Sequence, residues 1–163
     1  GSATAAPTSC LIAHFPLHRM KNIFFALELW LERSSALMLW GMAALWYGFI
    51  FYLSGIPTTT SASTKTMVGG DDTLNTVFRF CAHLGVFGVQ GVLVYAAQGR
   101  SLAFVRRACI VALCMTFLLG ISDEIHQSFV LGRYARVQDV LTDTAGAAIA
   151  IGCITAFRRK FVM

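Results

Sequence analysis

From Ala36 to Ser54 the chain carries no charged side chain, and three more apolar stretches of similar length follow. The hydrocarbon core of a bilayer is about 30 Å thick, and a helix covers it with roughly 20 apolar residues. Inside that core every backbone N–H and C=O must be paired within the protein, so isolated apolar runs of this length fold as helices. The four spans are read as residues 36–54, 75–97, 102–122 and 140–157. They predict an all-α integral membrane bundle of four transmembrane helices. Composition agrees: 56% of the 163 residues are hydrophobic and 13% charged, against about a quarter charged in soluble chains.

The net charge of +5 does not point to nucleic acid. The cations form no broad basic face and sit at the ends of apolar runs, as the positive-inside rule expects. With the N-terminus in the cytoplasm, Arg19, Lys21, Arg33, Arg100 and the arginines and lysine at 106–107 and 158–160 fall inside. Only Lys65, Arg79, Arg133 and Arg136 fall outside. The expected topology therefore places both termini in the cytoplasm. The first span is too long and too late in the chain for a cleaved signal peptide and is expected to stay as an anchor.

Residues 1–21 read as a flexible N-terminal tail and 22–163 as the membrane domain. Within 22–33, Ile23, Leu27, Trp30 and Leu31 share one side while Glu28 and Glu32 share another. That pattern suits a short interfacial helix or the first turns of the next span. The Gly-, Ser- and Thr-rich segment after Ser54 reads as a polar loop. Gly85, Gly88 and Gly91 are expected to let a neighbouring helix approach closely. Trp30, Trp40, Trp46 and Tyr47 read as interface anchors and apolar bulk. Of the five cysteines, four lie in apolar stretches and act as small hydrophobes.

The candidate chemistry lies where the third apolar run, CIVALCMTFLLGI, leads into SDEIHQSFVLGRYARVQDVLTD. Ionisable groups against oily helices are costly unless they pair or act. Glu124 reads as a general acid or base tuned by Arg133 or Arg136, or as an ion pair tying the loop to the bundle. His126 reads as a catalytic base, a phosphate contact, or a histidine satisfied at the membrane surface. His83 lies within the second apolar run, on one face with Gln90; it is either a catalytic group or an interhelical hydrogen bond.

Asp139 and Asp143 stand one turn apart at the start of the fourth span, where the helix dipole favours carboxylates. Asp143 is a turn deeper and must either be protonated or face Arg79, Arg133, Arg136 or His83, and pairing is expected. As catalytic candidates the two aspartates would orient the histidine or relay a proton. A guanidinium fits phosphate or carboxylate bidentately, so Arg133 either pairs with Asp139 or grips a lipid phosphate. Arg136, Gln127 and Asp123 join it as candidate ligand contacts. The acids and histidines are capable metal ligands, yet their spacing matches no recognised metal pattern. No metal or other cofactor is expected.

The run DEIHQSFVLGRYARVQDVLTDTAGA resembles the signature of the VanZ-like membrane proteins. Asp123, Glu124, His126 and Gln127 match its helix-ending acidic motif, Gly132 and Arg133 its loop, and Asp139 and Gly146 its last helix. FYLSGIP and His83 match more weakly upstream. The chain departs from the pattern in carrying Asp143 where an Asn is usual, and in lacking the usual Asp-Lys pair before the histidine.

The resemblance implies a bacterial cell-envelope protein of the cytoplasmic membrane and a link to low-level resistance to the glycopeptide teicoplanin. It does not imply a reaction. With it, the residues support three readings. One is an outward-facing site that binds or processes a lipid phosphate or lipid-linked cell-wall intermediate. Another is a non-catalytic lipid- or antibiotic-binding protein, and the last a charged cluster that only stabilises the fold. The expected partners are membrane lipids or lipid-linked envelope precursors, with self-association left open.

Overall fold

The computed structural model describes residues 17–57, 69–70, 72–98 and 105–161. They form α1 (Leu17–Arg33), α2 (Ala36–Ser54), α3 (Asp72–Ala97), α4 (Val105–Ser128) and α5 (Val137–Phe161). Helices α2 to α5 are each long and apolar enough to cross a membrane. The four-span all-α bundle read from the sequence is therefore the fold.

Helix α1 is a separate element and not the first turns of α2. The chain breaks at Ser34 and Ser35, where the Ser35 hydroxyl accepts the Met38 N–H at 3.2 Å and caps α2. Leu31 then drops into a cluster with Leu39, Ala96 and Ala97, and Phe24 stacks on Phe157 with ring centroids 5.3 Å apart. This holds α1 against the ends of α3 and α5. It begins at Leu17, before the stretch that showed amphipathic patterning. The side chains of Glu28 and Glu32 lie outside the described residues, as does most of the expected N-terminal tail.

Helix α3 is the hub, touching α2, α4 and α5 and packing most extensively on α5. A membrane gives helices no hydrophobic reason to associate, so close packing of small residues must supply it. A Cβ at Gly91 would sit 2.6 Å from the Ala147 Cβ, and one at Gly88 3.4 Å from the Gly146 carbonyl oxygen. Gly146 itself faces the Leu84 backbone, whose Cα would be 2.9 Å from an added Cβ. Gly85, expected to join this seam, has nothing within 4 Å. Around the seam Phe87, Val94, Ala112, Ala147 and Ile151 are buried, while Leu45, Leu118 and Ile149 point outward.

Two aromatic residues expected as interface anchors instead tie helices together. Trp46 Nε1 donates to the Val86 carbonyl at 2.8 Å, and the Tyr47 hydroxyl to the Leu119 carbonyl at 3.1 Å. Each uses the spare lone pair of a helical carbonyl. Trp30 and Trp40 remain substantially exposed.

The largest difference from the sequence reading is the end of α4. The hydropathy pattern closes the third span at Ser122, where the charges begin, but the helix continues to Ser128. Asp123, Glu124 and Gln127 turn inward and find partners there, so nothing stops the helix. Helices α3 and α5 likewise start earlier, at Asp72 and Val137. The α4–α5 connection shrinks to residues 129–136 and turns at Gly132, whose φ of 78° favours glycine.

Candidate functional site

The C-terminal ends of α2 and α4 and the N-terminal ends of α3 and α5 meet at one end of the bundle, the acidic end. The arginine-rich end lies opposite. Two hydrogen-bonded groups form at the acidic end.

The first group joins α2, α4 and the loop. Asp123, 1% exposed, accepts a short hydrogen bond from the Ser54 hydroxyl on Oδ1. On Oδ2 it accepts Gln127 Nε2 at 2.8 Å. Gln127 Nε2 also reaches Glu124 Oε1 at 3.3 Å, and its carbonyl accepts Arg133 Nη1 at 3.3 Å. The other Glu124 oxygen accepts the backbone N–H of Arg136 at 2.6 Å. Glu124 is thus buried and tied to the loop backbone, not to either arginine side chain.

Arg133 does not pair with Asp139, which stands beside Arg79. Arg133 Nε donates to the Ile56 carbonyl at 3.0 Å and its Nη2 to the Leu53 carbonyl at 3.2 Å. Those carbonyls lie at and just past the end of α2, where helical i+4 donors run out and the Leu53 oxygen accepts a turn bond from the Ile56 N–H at 3.3 Å, so the guanidinium fork serves as a C-cap from a distant loop. Burial pulls its pKa below the ordinary arginine value, helped by the like charge of Arg79 and opposed by Asp123 and Glu124. An arginine remains charged under such shifts.

The second group is a pair of rungs between α3 and α5. His83 Nδ1 and Asp143 Oδ1 are 2.8 Å apart, and Arg79 Nη2 stands 3.8 Å from Asp139 Oδ2. The rungs exist because both helices repeat the spacing: Arg79 precedes His83 by four, and Asp139 precedes Asp143 by four. Asp143 is fully buried and faces Gly120 of α4, where a Cβ would lie 3.4 Å from Oδ2. Among the described residues that oxygen has no hydrogen-bond donor. The sequence reading named Arg79 only as a possible mate for Asp143 and did not count Ser54 among the site residues. The four-residue spacing from Arg79 to His83 was the available signal; Ser54 offered none.

Two cavities open here. The first, about 250 Å³, runs between α2, α3 and α4 and is amphipathic. Arg79, His83, Asp123, Gln127 and Arg133 face it beside Ile50, Leu53, Phe78, Val86 and Phe87. The second, about 480 Å³, lies over the start of α3 and α5 and is lined by polar residues together with Phe80. Asn75, Thr76, Arg79, His83, Arg136, Asp139 and Thr142 line it. Arg79 and His83 belong to both.

The structure therefore gathers Asp123, Gln127, Arg133 and His83 at the first cavity and His83, Arg136 and Asp139 at the second. Asp143 stands behind His83. Glu124 lines neither, and His126 lies apart from both: its ring stacks on Phe51 with centroids 3.7 Å apart and covers Gly55. Among the described residues, no three His, Cys, Asp or Glu side chains come together to hold a metal ion.

The VanZ/LLP1 family model matches residues 39–158. The chain belongs to that family. The match runs from the first turn of α2 to near the end of α5, so the four spans and both polar groups fall within the VanZ/LLP1 region while α1 precedes it. Comparisons with curated proteins and with solved structures return no match.

Proposed function

We propose that this VanZ/LLP1 protein binds the anionic headgroup of a membrane lipid, or of a lipid-linked cell-envelope intermediate, at the acidic end of its bundle. The observation that carries the reading is the pairing of Arg79 and His83 on the wall of an amphipathic cavity. A guanidinium matches phosphate oxygens, and among the described residues Arg79 has only the loose 3.8 Å approach to Asp139 as an ion pair. The apolar side of the cavity suits a lipid chain. Arg133, by contrast, is committed to the end of α2, so its part is to hold the site together.

The His83–Asp143 contact favours processing over simple holding. A carboxylate on Nδ1 fixes the ring's orientation and tautomer and raises the basicity of Nε2. Such a pair can take a proton from a bound group or return one. The distribution of Lys and Arg supports an orientation with both termini inside and the acidic end outside, and the family resemblance a bacterial cytoplasmic membrane. In that setting the family resemblance connects the site to teicoplanin tolerance, through a lipid-linked wall precursor held or altered there.

The test is native mass spectrometry of the protein extracted gently with its own lipids, wild type beside Arg79→Gln. A phosphate-bearing lipid retained by wild type and lost from the variant is the expected result. Equal lipid profiles for the two proteins would refute the site.

A further inference from the structure

The two cavities differ in character and share Arg79 and His83 as a common wall. From this we infer the class of ligand: a lipid phosphodiester or pyrophosphodiester whose head carries hydroxyl or ammonium donors. Its tail lies in the first cavity, its phosphate at Arg79 and His83, and its polar head in the second cavity. The inference rests on the proposed headgroup site and adds what lies on either side of the phosphate.

Size argues for a head. One water occupies about 30 Å³ of liquid, so the first cavity holds the equivalent of about eight waters and the second of about sixteen. A phosphomonoester on a lipid chain would occupy the first and leave the larger, polar cavity without use. Chemistry argues for donors on that head. Asn75 Oδ1 and Asp139 Oδ2, from residues on the wall of the second cavity, are buried acceptors without a hydrogen-bond donor among the described residues. Such atoms are costly in a low-dielectric site. An ammonium group, or a head with two hydroxyls, carries a donor for each. The tail has a lateral way in, because Leu53 and Phe78 line the first cavity and are also 40% and 52% exposed on the outside of the bundle.

The experiment uses the full chain in detergent and native mass spectrometry with three lipids of identical acyl chains. Phosphatidylglycerol and phosphatidylethanolamine are diesters with donor-bearing heads, and phosphatidic acid is the headless monoester. Wild type is expected to retain at least one diester about ten-fold more than the monoester, equivalent to roughly 1.4 kcal/mol. Asn75→Leu should bring that ratio near one while leaving phosphatidic acid retention unchanged. Thr142→Val, on the same cavity wall, serves where the first variant does not fold.

Replacing the phospholipids with an isoprenoid diphosphate sugar assigns the source. Retention above both phospholipids indicates an envelope intermediate, and the reverse order a bulk lipid. Phosphatidic acid retained as well as both diesters, or a preference untouched by Asn75→Leu and Thr142→Val, overturns the inference. If that binding still falls with Arg79→Gln, the headgroup site itself stands. If Arg79→Gln changes none of the three lipids, both fail.

Discussion

Adding one methyl group at Gly146 should damage the fold and the site together. An Ala Cβ there would lie 2.9 Å from the Leu84 Cα and 3.0 Å from its carbonyl carbon, whereas carbon atoms pack at about 3.5–4.0 Å. Both contacts are backbone, so no side chain can swing aside, and α3 and α5 must part by about 0.5–1 Å. Overpacking of this kind costs about 1–3 kcal/mol. The better helix propensity of Ala over Gly returns roughly 0.5–1 kcal/mol, leaving a net loss of about 1–2 kcal/mol. For a chain of this size that lowers Tm by on the order of 3–6 °C.

The same displacement reaches the proposed site, because Leu84 adjoins His83 and Asp143 lies one turn from Gly146. Their 2.8 Å contact would lengthen by about as much as the helices part, past the roughly 3.2 Å limit of a good hydrogen bond. Thermal unfolding in detergent measures the first effect. Gly152→Ala, where nothing lies within 4 Å, is the matched control and should melt no lower than wild type. A Gly146→Ala protein that melts with that control would refute the packing argument.

Other substitutions separate the roles within the polar end. Arg133→Ala removes three donors from Leu53, Ile56 and Gln127 and should cost about 2 kcal/mol in thermal unfolding; Lys should recover less than half, lacking the fork. Ser54→Ala leaves the buried Asp123 Oδ1 without its donor and should cost about 1–3 kcal/mol by the same measurement. Trp46→Phe and Tyr47→Phe each lose one bond to a helical carbonyl. Each should cost about 1 kcal/mol by the same measurement.

Much of the fold was legible because hydropathy and helix length are properties of each segment alone. The four spans, and the gathering of ionisable groups at one end, follow from that pattern. What the pattern could not show is which groups answer one another across helices. Charge at Asp123 and Glu124 reads locally as the end of a span, yet Ser54, Gln127 and the loop backbone satisfy those carboxylates inside the helix. Arg133 reads as a free fork because its acceptors are backbone carbonyls, which have no signature in sequence. Trp46 reads as an anchor for the same reason, its acceptor being the Val86 carbonyl. Gly85 and Gly88 look alike in sequence, and only the placement of α5 decides which of them is covered. His83 with Asp143 was the more readable rung, since His83 stands among the partners read for Asp143; Arg79 with Asp139 was not read, although the two four-residue spacings on the parallel helices α3 and α5 match.

The most direct test of the account is the distance from lipid phosphorus to the α3 side chains. The protein, with ¹⁵N-labelled arginine and histidine, would be placed in bilayers of the lipid it retains, and ³¹P–¹⁵N dipolar coupling recorded by solid-state NMR. A phosphate hydrogen-bonded by Arg79 places phosphorus about 4 Å from the guanidinium nitrogens, from bonds of about 2.7–2.9 Å to its oxygens. The account predicts that coupling, a weaker one at His83, and the loss of the arginine signal in Arg79→Gln. Identical arginine couplings in wild type and Arg79→Gln would mean that no phosphate sits there, and would contradict the account.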